Sequence, residues 1–257
     1  NKISYALTYA SKMQNMGETP QTNGHKMYHQ LSFLHDQRAK SINPYHVRAS
    51  LEYGGNFLKG ALEASYKISY YHDQGLTMRL FGGSFIHRQD ELPWFYGFHL
   101  SGSTGLNDYT FDRTYLGRYE DPTVETSNQL LSQQFYPRQG AFALYSPLGI
   151  TRDWLMTLNI NSSLPLIQDI PIEAYANVGA FGAIQPLGMD FTNKDWAMET
   201  GIKLSFLQFL DIYFPIAASN NLERASDIIN TRYGEKIRFH LKFDLLDPSR
   251  ITDQFDF

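Results

Sequence analysis

The stretch Lys236 to Leu245 reads Lys-Ile-Arg-Phe-His-Leu-Lys-Phe-Asp-Leu, and its period of two leaves the backbone little choice. Ile237, Phe239, Leu241, Phe243 and Leu245 fall on one side of an extended chain, and Lys236, Arg238, His240, Lys242 and Asp244 on the other. Successive side chains of a strand project from opposite faces of the pleat, whereas at helical spacing these residues scatter around the cylinder. The spacing predicts a strand with one apolar face and one charged face.

The same alternation recurs along the chain. Ile3, Tyr5, Leu7 and Tyr9 oppose Ser4, Ala6 and Thr8, and Met27, Leu31 and Phe33 share a face. Val47, Ala49, Leu51 and Tyr53 oppose Arg48, Ser50 and Glu52. After the turn Gly54-Gly55-Asn56, Leu58, Leu62, Ala64, Tyr66, Ile68 and Tyr70 oppose Lys59, Glu63, Ser65, Lys67 and Ser69. Leu76, Met78 and Leu80 oppose Thr77 and Arg79, and Trp94, Tyr96, Phe98 and Leu100 oppose Gly97, His99 and Ser101. Residues 105–137 read either as one long loop or as a further strand pair. Trp154 to Ile160, Ile172 to Val178, Trp196 to Phe206 and Leu210 to Ile216 resume the pattern. The polar stretch 219–234 reads as a loop, and no segment reads as an amphipathic helix. The expectation is a single domain over 1–257 with about 12 to 14 strands, many near the length of a tilted membrane strand.

Composition narrows the classes. The 257 residues carry a net charge of −4 and no Cys, so neither nucleic-acid binding nor a thiol metal site is supported. No apolar run approaches the roughly 20 residues of a membrane helix. A mean hydropathy of −0.37 would suit a soluble chain, but that inference fails for a barrel, whose strands are half polar.

Three features bear on which face meets lipid. The strands are long and joined by short turns. The polar face carries both signs of charge at mid-strand: Arg48, Glu52, Lys59, Glu63, Lys67, Arg79, Glu173, Glu199, Lys203, Arg238 and Lys242. Lipid excludes such groups (about 2–4 kcal/mol for each Lys or Arg at mid-bilayer), while an enclosed lumen pairs them. Tyr53, Tyr70, Trp94, Trp154 and Trp196 lie near the ends of the apolar stripes, where amphipathic rings favour the membrane interface. The expected fold is an antiparallel up-and-down transmembrane β-barrel of the bacterial outer membrane, with its charged lumen filled. The alternative is a soluble antiparallel domain with solvated charged faces. Loop lengths put 15–25, 183–193 and 219–234 on the outer side and the turns at 73–75, 168–169 and 208 on the periplasmic side.

Candidate chemistry is sparse. The eight histidines form no helical zinc pair, and His29 and His35 read as surface or interface residues. His99-Leu-Ser101 resembles the base and nucleophile of outer-membrane phospholipase and lipid A deacylase barrels, although Gly102 stands where those families have Asn. The plainer reading is two inward-facing polar residues. Lys59, Glu63, Lys67, Glu199 and Lys203 could form a substrate track, but mixed-sign rows more often pair across strands.

The segments Phe111-Asp-Arg-Thr-Tyr-Leu-Gly-Arg118, Leu131-Ser-Gln-Gln-Phe135, Trp154-Leu-Met-Thr-Leu-Asn-Ile160, Leu210-Asp-Ile-Tyr-Phe-Pro-Ile216 and Glu235-Lys-Ile-Arg-Phe239 occur in that order. Together they resemble the C-terminal β-barrel domain of large Bacteroidota gluzincin-type metallopeptidases, related to aminopeptidase N. In that family the His-Glu-x-x-His zinc motif belongs to an upstream domain. It is absent here, so the resemblance carries over no catalytic or metal residue and no cofactor. It implies a non-catalytic membrane anchor and interaction module, with the lipid bilayer and other outer-membrane or periplasmic proteins as partners. Arg138-Gln-Gly140-Ala-Phe142 resembles, with inserted residues, the Arg-Gly-aromatic element of outer-membrane assembly and secretion barrels. A transport or assembly barrel is therefore the second expectation and a lipid hydrolase the third.

Overall fold

The computed structural model describes residues 1–10, 26–37, 42–71, 74–90, 92–105, 108–110, 113–116, 133–164, 171–182, 195–206, 209–228 and 232–242. Ten strands form one sheet in strict sequence order, each antiparallel to the next. They are β1 (Lys2–Ala10), β2 (Lys26–Asp36), β3 (Tyr45–Tyr53), β4 (Phe57–Tyr71), β5 (Gln74–Arg88), β6 (Trp154–Leu164), β7 (Ile172–Phe181), β8 (Trp196–Phe206), β9 (Leu210–Ala218) and β10 (Arg238–Leu241). β4 and β5 are the longest at 15 residues. The β3–β4 turn needs glycine: Gly55 sits at φ 77°, and Gly54 N donates to Phe57 O at 3.1 Å to close the hairpin. β1 and β10 do not pair with each other among the described residues, so the sheet is open.

Register sorts the side chains as the alternation requires. Leu62, Tyr66 and Tyr70 of β4, Leu80 of β5, Met156 and Leu158 of β6, Val178 of β7 and Trp196 and Met198 of β8 are exposed on one face. On the opposite face, Glu52, Lys59, Thr157, Asn159, Asn177, Glu199, Asp211 and Arg238 are buried. The sheet is thus apolar on its open face, and its covered face mixes buried polar and charged groups with apolar clusters.

The cover, here the insert, comes from the connection between β5 and β6, whose described residues (89–90, 92–105, 108–110, 113–116 and 133–153) lie across the inner face. Its β-bridges are isolated: Phe98 with Thr151, Ser101 with Phe142 and Ser103 with Tyr136 link the insert to itself, and Gln134 bridges Phe239 of β10. Three apolar clusters fix it in place. Phe98, Leu100, Phe142, Leu144 and Leu148 of the insert pack with Phe81, Leu155, Phe181 and Ala197 of the sheet. Leu92, Tyr96 and Tyr109 pack with Tyr28 and Phe57, and Phe135 and Ala143 with Tyr175. Helix α1 (Asn220–Asp227) adds Leu222 and Ala225 to the first cluster.

Several expectations are corrected here. Ten strands lie among the described residues, where 12 to 14 were expected over the whole chain. Trp94 to Leu100 is not a membrane strand: Trp94–Tyr96 is a 3-10 turn and Phe98 and Leu100 lie in the insert. Its period of two is real, but both sides of the segment are enclosed, since His99 and Leu100 are both buried. Tertiary surroundings, not local alternation, decide what such a segment becomes. The stretch 219–234 contains α1, and α2 (Tyr233–Lys236) begins where the final strand was expected, so β10 is shorter than Lys236 to Leu245. The expected loops at 15–25 and 183–193, the turns at 168–169 and 208, residues 117–132 and the end of the last strand lie outside the described residues, as does the side chain of Trp94.

Candidate functional site

The inner face carries a continuous row of polar side chains, one from each of six adjacent strands. His46 of β3 meets Glu63 of β4 at 3.3 Å, and Glu63 meets Arg79 of β5 at 2.6 Å. Arg79 Nη1 donates to Asn159 Oδ1 of β6 at 2.8 Å. Asn159 Nδ2 donates to Asn177 Oδ1 of β7 at 3.0 Å, and Asn177 Nδ2 to Glu199 Oε1 of β8 at 2.7 Å. Register produces this row: Arg79 faces Asn159, Asn159 faces Asn177 and Asn177 faces Glu199 across the ladders.

The row holds the backbone of the insert. Arg79 Nη1 donates to Gln139 O at 2.7 Å, and Asn159 Nδ2 donates to Gly140 O at 2.9 Å. Glu199 accepts from Ala143 N at 2.6 Å and from Leu144 N at 2.9 Å. The gripped loop is unusual, because Gln139 and Ala141 have φ of 48° and 58°, a region costly for residues with a Cβ. Such a conformation persists only where the surroundings over-determine it, and here three side chains from three strands do so. Gly140 fits because a Cβ there would lie 2.4 Å from Leu100 O.

Two further clusters flank the row. Lys59 donates to Tyr96 O at 3.0 Å and to the Tyr109 hydroxyl at 2.7 Å, with Glu52 at 3.7 Å, while the Tyr109 O–H donates to Glu52. The Lys59 ammonium also lies over the rings of Phe57, Phe98 and Tyr109 at 5.1–5.4 Å, within cation–π range. At the other side Lys203 pairs with Glu173 at 2.6 Å, and Asp211 takes Lys242 and Ser205 at 2.8 and 2.7 Å. Between β2–β5 and the insert lies a polar cavity of about 170 Å³ lined in part by Gln30, Ser32, Arg48, Glu63, Arg138 and Gln139. Around it Arg48, Lys59 and Arg138 balance Glu52, Glu63 and Asp108, so it offers no net charge to an ion.

By strand alternation the charged residues singled out in the sequence fall opposite the exposed apolar stripe, and Lys242, just past β10, reaches Asp211 on that side. Glu52 with Lys59, Glu63 with Arg79 and Glu173 with Lys203 pair across strands. Glu199 does not pair with Lys203; it binds insert backbone instead. His99 and Ser101 sit in the insert, not on a sheet strand. Ser101 Oγ donates to Leu144 O at 3.0 Å and accepts from Ser146 N at 3.2 Å. His99 Nε2 has no hydrogen-bond partner among the described residues. Burial holds the His99 imidazole down to about 4, and Lys59 nearby works the same way, against a backbone hydrogen bond at Phe95. Because the unfolded chain then binds the proton first, His99 contributes stability that is lost as pH falls from its ordinary 6.5 toward about 4. Refolded protein should therefore lose denaturant resistance between pH 6.5 and 4, and His99→Gln should flatten that part of the profile. An unchanged slope in the variant counts against His99 as the source.

Sequence reasoning missed Asn159 and Asn177 as members of the row and did not connect Gly140 with the sheet. Their signal was present: Asn at mid-strand on the charged side twice, in strands where a small polar group has no intrinsic advantage. Among the described residues no group of three or more His, Cys, Asp or Glu is placed to hold a metal ion. Neither a family model nor a curated protein matches this sequence.

Proposed function

We propose that this chain is an outer-membrane β-barrel whose role is structural: it anchors in lipid and interacts with other envelope proteins, with its lumen filled by the described part of the β5–β6 connection. The observation that carries this reading is the broad exposed apolar face of the sheet, opposite a face on which charged groups are buried. Its open face is a field of Leu, Met, Val, Tyr and Trp, and Glu52, Lys59, Glu199, Asp211 and Arg238 are buried on the other face. In water an apolar face of this extent would drive association, whereas acyl chains solvate it without cost to the charged row. The insert argues against a transport role, because cross-strand ion pairs and three apolar clusters occupy the face that would line a channel. The segment resemblance makes the barrel of an envelope metallopeptidase the leading context, with any zinc chemistry residing elsewhere in such an assembly. No step of catalysis is assigned to this chain.

Planar-bilayer recording tests the filled lumen. The detergent-refolded chain should insert without stepwise ion conductance, and removal of 92–150 with a short linker should create steps if the remaining sheet still inserts. Conductance steps from the intact chain would overturn the structural reading in favour of transport. A chain that stays monodisperse without detergent would overturn the membrane reading altogether.

A further inference from the structure

We infer that Glu52, Lys59 and Tyr109 form a lock that fixes where the insert docks along the inner face, by reading the order of charge on β3 and β4. The inference goes beyond the filling of the lumen and does not depend on lipid. Glu52 of β3 and Lys59 of β4 face each other across the ladder and are only 8 and 7 % exposed. Tyr96 and Tyr109 come from the insert and are buried with them. Lys59 Nζ donates to Tyr96 O at 3.0 Å and to the Tyr109 hydroxyl at 2.7 Å, and the Tyr109 O–H donates to Glu52. The insert therefore offers acceptors to the base on β4 and a donor to the acid on β3.

Stability alone does not account for an ion pair at this place. The rings of Phe57, Phe85 and Phe98 stand around the ammonium. In such surroundings a buried pair can often be replaced by apolar side chains without loss, whereas removal of one partner strands the other charge. What the pair adds is discrimination between registers. Two residues along the same ladder, Ser50 faces Ala61 and offers no charge. Four residues along, Arg48 of β3 faces Glu63 of β4, so the base stands on β3 and the acid on β4. An insert shifted to that rank, about 13 Å along the strands, would set Tyr96 O against a carboxylate, two acceptors with no proton between them. The aromatic contacts that hold this part of the insert carry no such sign, and the charged ranks supply it.

A charge swap tests this. Glu52→Lys with Lys59→Glu keeps a cross-strand pair and the net charge but reverses its order on the two strands. The chain has no Cys, so Thr110→Cys beside Tyr109 and Ser84→Cys on the exposed side of β5 give one nitroxide pair, whose distance reports where the insert sits. With Glu52 and Lys59 in place the pair should show one narrow distance. The swap should shift or broaden it and lower the denaturant midpoint. An unchanged distance in the swap overturns the inference, because the pair then serves only itself, and so does a broad distribution with the lock intact. Glu52→Leu with Lys59→Met and Tyr109→Phe covers a swap that fails to fold. That variant should keep or raise the midpoint, since no charge is left unpaired, while its distance spreads over more than one value. A single native distance there, or a midpoint well below that of the parent, overturns the inference. The distance is read between insert and sheet, in detergent or in plain buffer, so the membrane reading can fail without it.

Discussion

Glu199→Ala should destabilise the fold by on the order of 4 kcal/mol, because three buried donors lose their acceptor together. Ala143 N, Leu144 N and Asn177 Nδ2 all end on this carboxylate. A buried donor left without a partner costs about 1–3 kcal/mol, and alanine supplies no acceptor. Glu199→Gln should recover only part of the loss, since its amide keeps one oxygen but turns an N–H toward a second N–H. The measurement is the denaturant midpoint of the refolded protein in detergent. Limited trypsin digestion adds a local readout: cleavage after Arg138, next to the gripped loop, should accelerate in the alanine variant. A midpoint and a cleavage rate equal to wild type would show that the insert is held by something other than the row.

Leu100→Ala should cost about 4 kcal/mol, near the upper end for removal of a buried leucine. The side chain is fully enclosed and packs in the largest cluster with Phe98, Phe142, Leu155 and Phe181. Its neighbours cannot close over the cavity. A Cβ on Gly149 would lie 2.4 Å from Leu100 Cβ, and one on Gly179 would lie 2.5 Å from Leu100 Cδ1. Those two positions have no side chain with which to move in. Leu80→Ala is the control. Leu80 is half exposed on the apolar face, and detergent or lipid is as apolar as the leucine it meets, so the loss there should be under about 1 kcal/mol. Equal losses at the two positions would contradict the division of the sheet into a packed face and a lipid-like face.

The strands, their antiparallel order and the division of side chains between two faces were legible because a period of two is local. Each of Lys59, Glu63 and Arg79 shows its side from its own neighbours. The residues from 92 to 105 show why the same reasoning then stopped. Phe98 and Leu100 alternate with His99 as a strand would, yet they fill the inside of the sheet.

Sequence by itself determined that this chain forms long amphipathic strands with the charged residues on a common side. Only the tertiary structure decided that those charges bind a peptide backbone, that Asn159 and Asn177 join them, and that the first strand stands at an open edge. The physical reason is separation along the chain. Alternation is imposed residue by residue by the pleat, but Glu199 meets Ala143 across 56 positions, and no local pattern encodes which distant N–H a carboxylate will find.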